Sequence, residues 1–145
     1  KTEMVDSQLS AKIAALNYLQ IANKPSDIEI SLAKTGGPSG GLAFALGIIE
    51  LLTPENILRG RSVASTGTID SEGNVGGIGG VAEKILAAQK AGATLILVPT
   101  SNCRDLAPGV VTIPKGIKVA AVSTLKEAIT ALNSASPRSC ANLGA

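Results

Sequence analysis

Apolar positions along the chain change their period several times, and each change marks an element. Over residues 7–20, Leu9, Ile13 and Leu16 recur at helical spacing, with Asp6 or Ser7 placed to cap the first turn. Asn23-Lys24-Pro25-Ser26 breaks that pattern. Residues 27–32 then alternate strictly, with Ile28, Ile30 and Leu32 on one side and Asp27, Glu29 and Ser31 on the other. Period two with one polar side predicts a strand whose second face meets water. A glycine-rich turn follows at residues 35–41, then a helical apolar run from about Ser39 to Leu52, stopped by Pro54.

The second half reads the same way. Residues 61–69 are rich in Ser, Thr and Val and predict a strand, turning at Asp70-Ser71-Glu72-Gly73-Asn74 as a hairpin-type loop. Gly76-Gly77-Ile78-Gly79-Gly80 leads into a helix over residues 81–90, closed by Gly92. Leu95-Ile96-Leu97-Val98 is a continuous apolar run ending at Pro99, the mark of a strand buried on both faces. A loop or helical turn is expected over residues 102–106, a strand over 117–122, and a helix over 124–132 with Leu125, Ile129 and Leu132 inward. Strand and helix alternate throughout, so the fold class is α/β: one domain, residues 1–133, with a mixed sheet and flanking helices. A polar tail occupies residues 134–145.

Composition narrows the function classes. At 145 residues and 45% hydrophobic content the chain supports one self-sufficient core. That core is aliphatic, since the chain has one Phe, one Tyr and no Trp, with 16 glycines for turns and close contacts. The net charge is +2, with 13 basic and 11 acidic residues interspersed, so no phosphate-binding stripe forms and no nucleic-acid partner is expected. The longest apolar stretch, residues 41–49, is far short of a membrane span, and no signal peptide is visible. The chain begins at Lys1, so an anchor or companion domain would lie outside it. Cys103 and Cys140 have no third or fourth partner, which excludes a zinc cluster of ordinary spacing. They are either two unrelated small apolar residues or one disulfide. The polar surroundings of Cys140 favour the disulfide, and with it an extracytoplasmic location.

The chemistry concentrates at Ser39, inside Thr35-Gly36-Gly37-Pro38-Ser39-Gly40-Gly41 and just ahead of a helix. A serine so placed reads as a nucleophile beside free backbone N–H groups, or simply as a helix N-cap. The chain has no histidine, so a nucleophilic Ser39 must pass its proton to another base, and a neutral lysine is the realistic one. Val81, Lys84, Ile85 and Ala88 share one helical stripe, which places Lys84 on the apolar face. The competing reading is a lysine that lays its stem on the core and sends its ammonium to water. No Lys-Ser/Thr pair follows the first glycine run, so it is not a phosphate cradle of the Walker type. The second run, Gly77-Ile78-Gly79-Gly80-Val81-Ala82, follows a turn and lacks the later acidic residue of a dinucleotide fold.

Taken together, these blocks resemble a known family. Gly37-Pro38-Ser39-Gly40-Gly41, then Thr66-Gly67-Thr68-Ile69, Gly73, Val75, and Ile78-Gly79-Gly80-Val81-Ala82-Glu83-Lys84 are similar to the proteolytic domain of Lon-type serine peptidases. The likeness continues through Ile85-Leu86-Ala87-Ala88, Ala91-Gly92 and Leu95-Ile96-Leu97-Val98-Pro99, and covers most of residues 28–132. It implies the ribosomal protein S5 domain 2-like fold and a serine endopeptidase acting on polypeptides. Ser39 would be the nucleophile and Lys84 the general base, with Thr66 orienting the lysine amine and no cofactor or metal required. Gly36 replaces a common aspartate, Gly40 the usual alanine, and Gln89 a common histidine, while Thr68 stands where ATP-dependent members have glutamate. Those departures, with Pro99-Thr100-Ser101-Asn102-Cys103 and the late cysteine, resemble bacterial Lon-like proteins that carry a PDZ domain. The resemblance implies ATP independence, a membrane anchor and PDZ domain outside this chain, an extracytoplasmic protease and a homo-oligomer. The alternatives are a cytoplasmic location and a catalytically silent binding or assembly domain that keeps the fold.

Overall fold

The computed structural model describes residues 2–20, 40–53, 57–58, 60–107, 109 and 111–140. The expected strand over residues 27–32 and the turn containing Ser39 lie outside the described residues. The elements run α1 (Thr2–Leu19), α2 (Gly41–Leu52), β1 (Val63–Ser65), β2 (Thr68–Ile69), β3 (Val75–Gly76), α3 (Val81–Lys90), β4 (Leu95–Pro99), a 3-10 helix (Thr100–Leu106), β5 (Lys118–Val122) and α4 (Leu125–Leu132).

β4 organises the packing. It pairs in parallel with β1 on one side (Val63↔Leu95, Ser65↔Leu97) and with β5 on the other (Leu97↔Ala120, Pro99↔Val122). All five of its residues are buried, and their alternation sends them to two different cores. Leu95 and Leu97 join α1, α2 and α4 in a cluster built around Leu42, Phe44, Ile48, Ile49, Ala128 and Leu132. Ile96 and Val98 face the opposite layer and meet Val81, Ile85 and Ala88 of α3 with Leu106 and Ile117. Helices therefore cover both faces of the parallel sheet, as the α/β reading requires. The antiparallel pairing belongs to a separate ribbon, β2 with β3 (Thr68↔Gly76, Ile69↔Val75).

Three expectations need correction. The first helix starts at Thr2, so Asp6 and Ser7 sit inside it; no breaker separates them from the helix-compatible residues before. Leu9 is 48% exposed; Leu16 is buried as expected, but Ala11, Ala14 and Ala15 make up the rest of the buried side of α1, small side chains that permit close approach. The single strand expected over residues 61–69 is two strands, β1 and β2, interrupted at Thr66-Gly67. Thr66 N–H still donates to Leu97 O at 3.0 Å, continuing the ladder, but Gly67 adopts φ 142° and turns the chain out of the sheet.

The last helix is capped from both sides. Thr124 Oγ1 accepts from Glu127 N–H at 3.0 Å, and the Glu127 carboxylate reaches back to accept from Ser123 N–H at 2.7 Å, one residue before the cap. At the other end the Arg61 guanidinium donates to Leu132 O, while its Nε donates to Leu58 O at 2.9 Å.

The β2–β3 turn is held by Asp70, whose carboxylate accepts from Glu72 N–H (3.0 Å), Asn74 N–H (2.8 Å) and Asn74 Nδ2 (3.0 Å). Partial burial pushes this carboxyl upward, but hydrogen bonds from Asn74, Glu72 and Gly73 outweigh it and hold its pKa below the ordinary 3.8. A depressed folded-state value means the stabilisation is complete above pH 3.8 and is lost as pH falls below it. Asp70→Asn should therefore be less stable than wild type at neutral pH, with the two unfolding curves converging in acid. A constant gap down to acid pH would contradict this.

Cys103 of the 3-10 helix and Cys140 form a disulfide with Cα atoms 5.2 Å apart. Ala121 N–H donates to Arg138 O at 2.9 Å, so the tail also lies along β5. The bridge closes a separation of 37 residues. Cys140→Ser is expected to lower unfolding free energy by about 2–4 kcal/mol under non-reducing conditions. Equal denaturation midpoints for the two proteins would contradict this.

Candidate active site

Parallel strands end together, and Thr66 and Gly67 stand at their carboxyl ends. Ser65 pairs with Leu97, so Thr66 and Gly67 leave β1 beside the point where β4 runs out at Pro99. Crevices outside strand carboxyl ends are the usual ligand sites of open α/β sheets. Thr66 is buried, with 5% exposure. Gly67 is pressed against its neighbours: a Cβ there would lie 2.9 Å from Val75 Cγ1 and 3.2 Å from Pro99 Cγ, at a φ that side chains rarely adopt. Only glycine fits.

The Gly67 carbonyl accepts from Leu42 N–H at 3.0 Å. That bond docks the first turn of α2 directly on the residue after Thr66. Gly40 is the N-cap of α2, with no side-chain cap bond. Ser39, joined covalently to Gly40, lies outside the described residues, so its geometry is not part of the site as described.

The other half of the site comes from the β2–β3 ribbon. Beyond β3 the chain runs through Gly77, Ile78, Gly79 and Gly80 and enters α3, with Gly80 in the left-handed region at φ 69°. The helix then runs antiparallel to the strands, so its first turns stand at their carboxyl ends. Lys84 N–H donates to Gly80 O at 3.1 Å, the first helical bond. The side chain of Lys84 is exposed, not embedded as the stripe suggested. Val81, Ile85 and Ala88 close the apolar face among themselves, and Lys84 falls on its rim, where a long stem reaches water. Among the described residues no hydrogen bond joins the side chains of Thr66 and Lys84.

The role of one residue at this end of the sheet escaped sequence reasoning. Asn102, 4% exposed, accepts from Ile78 N–H at 2.9 Å and donates through Nδ2 to Ile78 O at 2.8 Å. Nδ2 also donates to Asp105 Oδ2 at 2.9 Å. Sequence reasoning placed Asn102 in a resembling segment and a helical turn but gave it no role in the site. Among the described residues, no group of three or more His, Cys, Asp or Glu side chains could hold a metal ion.

Comparison with known proteins fixes what this arrangement belongs to. The family model of the Lon protease (S16) C-terminal proteolytic domain matches residues 10–134. The chain belongs to the Lon proteolytic-domain family. Among curated relatives, it is 38% identical over 131 residues to a Lon protease of Azospirillum brasilense, covering 88% of this chain and 16% of that protein. It is 36% identical over 114 residues to a Lon protease of Xanthomonas oryzae pv. oryzae, covering 79% and 13%. A Lon protease of Neorickettsia sennetsu is 37% identical over 94 residues, covering 65% and 11%. The chain thus spans roughly a tenth to a sixth of the length of these relatives. Family membership brings the α/β fold, with helices on a parallel sheet and an antiparallel ribbon, and the described Lon-domain elements from α2 to α4 fall inside the matched span.

Proposed function

We propose that this Lon proteolytic domain is a serine endopeptidase working through Ser39 and Lys84. The observation that carries the reading is the placement of Lys84: the first turns of α3 present it at the carboxyl end of the sheet, where α2 is docked beside Thr66. In the reaction, neutral Lys84 accepts the Ser39 proton as Oγ attacks the peptide carbonyl, and backbone N–H groups hold the oxyanion. Leu42 N–H is already engaged by Gly67, so the donors are amides that precede it. Lys84 then protonates the leaving amine, and water resolves the acyl-enzyme. Thr66 orients the lysine when a bound substrate closes the site, since catalytic hydrogen bonds often tighten only in the complex.

The substrates proposed are unfolded polypeptides, cut without ATP because Thr68 stands where the glutamate of ATP-dependent members would be. The Cys103–Cys140 bridge supports an oxidising, extracytoplasmic compartment. The resemblance to PDZ-carrying Lon-like proteins supports a membrane anchor and a PDZ domain in sequence outside this chain, together with self-association. The test is hydrolysis of an unfolded protein without nucleotide across a pH series. Hydrolysis by wild type that is lost separately in Ser39→Ala and in Lys84→Ala supports the dyad. An inert protein at every pH supports the silent binding domain instead.

A further inference from the structure

We propose that Asn102 is a positioning residue for the reaction, clamping both backbone polar groups of Ile78 and so fixing the loop from which α3 presents Lys84. The inference rests on the Ser39–Lys84 reading and adds a residue to it. The loop has few holds of its own. Gly77, Gly79 and Gly80 carry no side chains, the side chain of Ile78 is only half-buried, and a Cβ at Gly79 would meet nothing within 4 Å. The α3 N-terminus has no side-chain cap bond either. Within this stretch, the described side-chain hydrogen bonds are the two from Asn102, reaching back 24 residues.

The path to the base is short. Asn102 holds Ile78, Gly80 follows two residues on, and Gly80 O accepts the N–H of Lys84. Every link after the Asn102 amide is a backbone group, so displacement of Ile78 is passed to the start of α3 with little side-chain slack. The amide itself cannot flip. Turning it would set the amide oxygen against two acceptors, Ile78 O and Asp105 Oδ2, and leave Ile78 N–H facing a donor. The neighbouring Cys103 is tied to Cys140, which anchors the 3-10 helix carrying Asn102. Gly77 completes the fit: a Cβ there would come within 2.7 Å of Ser101 Oγ and 3.4 Å of Asn102 Oδ1.

A buried asparagine that merely satisfies local backbone would affect stability alone. A positioning residue changes turnover in molecules that remain folded. The test compares wild type, Asn102→Ala and Lys84→Ala well below their melting temperatures. Steady-state kinetics on a peptide substrate are normalised to the folded fraction by circular dichroism, and amide hydrogen exchange is followed at residues 78–84. Asn102→Ala should lose about 10- to 100-fold in kcat with KM nearly unchanged, and exchange at residues 78–84 should accelerate. A wild-type kcat with only a lowered melting temperature overturns the inference while leaving the dyad standing. Full activity of Lys84→Ala, or an inert wild type, overturns the dyad and this inference with it. Should Asn102→Ala fail to fold, Asp105→Ala removes the bond that orients the amide at an exposed site. It should then lower kcat several-fold at constant KM, and a wild-type kcat for it overturns the inference equally.

Discussion

Lys84→Ala should abolish peptide hydrolysis and leave the protein as stable as before. The expected loss in kcat/KM is at least about a thousandfold, because without a base the serine hydroxyl is a weak nucleophile and residual rate comes only from binding and oxyanion contacts. Stability should change by no more than about 0.5 kcal/mol, since the side chain is exposed and packs no core. That split is sharper than a buried lysine would allow, where removing the charge would itself move stability. Lys84→Gln keeps length and polarity but cannot act as a base, and should be equally inactive. Activity within tenfold of wild type in either variant would remove Lys84 from the chemistry. Ser39→Ala should show the same loss.

Phe44→Ala should be among the most destabilising single substitutions in the domain, costing about 3–5 kcal/mol. Phe44 is fully buried in α2 and is the chain's one Phe, in a core otherwise made of aliphatic side chains. Leu42, Ile48, Ile49 and Leu97 share its cluster, and none is large enough to refill the space without backbone movement. Against the 5–15 kcal/mol typical of a folded domain, the loss is about a fifth of the total or more. Urea denaturation would read it as a lower midpoint at an unchanged slope. A loss below about 1 kcal/mol would mean that α2 is less tightly packed than its burial implies.

Local signals decided much of the architecture. Gly80 and Gly92 bracket α3 closely because glycine marks where a helix can begin or end in the left-handed region, and both adopt it. β4 was legible because a strand covered on both faces has no polar alternation to blur it. The break at Thr66-Gly67 was not, since β-propensity runs on through Thr68-Ile69 and only tertiary contacts with Val75 and Pro99 force the turn. Leu9 misled for a similar reason: periodicity weighs large residues, whereas α1 packs through its alanines. The lysine stripe was right in register and wrong in depth, because i, i+3 and i+4 spacing gives a face but not its margins. The role of Asn102 was missed because it depends on Ile78, remote in sequence and adjacent only after folding.

The most direct test is to trap the acyl-enzyme. An active-site acylating probe is mixed with wild type, Ser39→Ala and Lys84→Ala, and the modified peptide is identified by mass spectrometry after digestion. The dyad predicts one covalent adduct on Ser39 in wild type, with no adduct in Ser39→Ala and almost none in folded Lys84→Ala. An adduct on another residue, or labelling of Ser39 at the wild-type rate in Lys84→Ala, would contradict it.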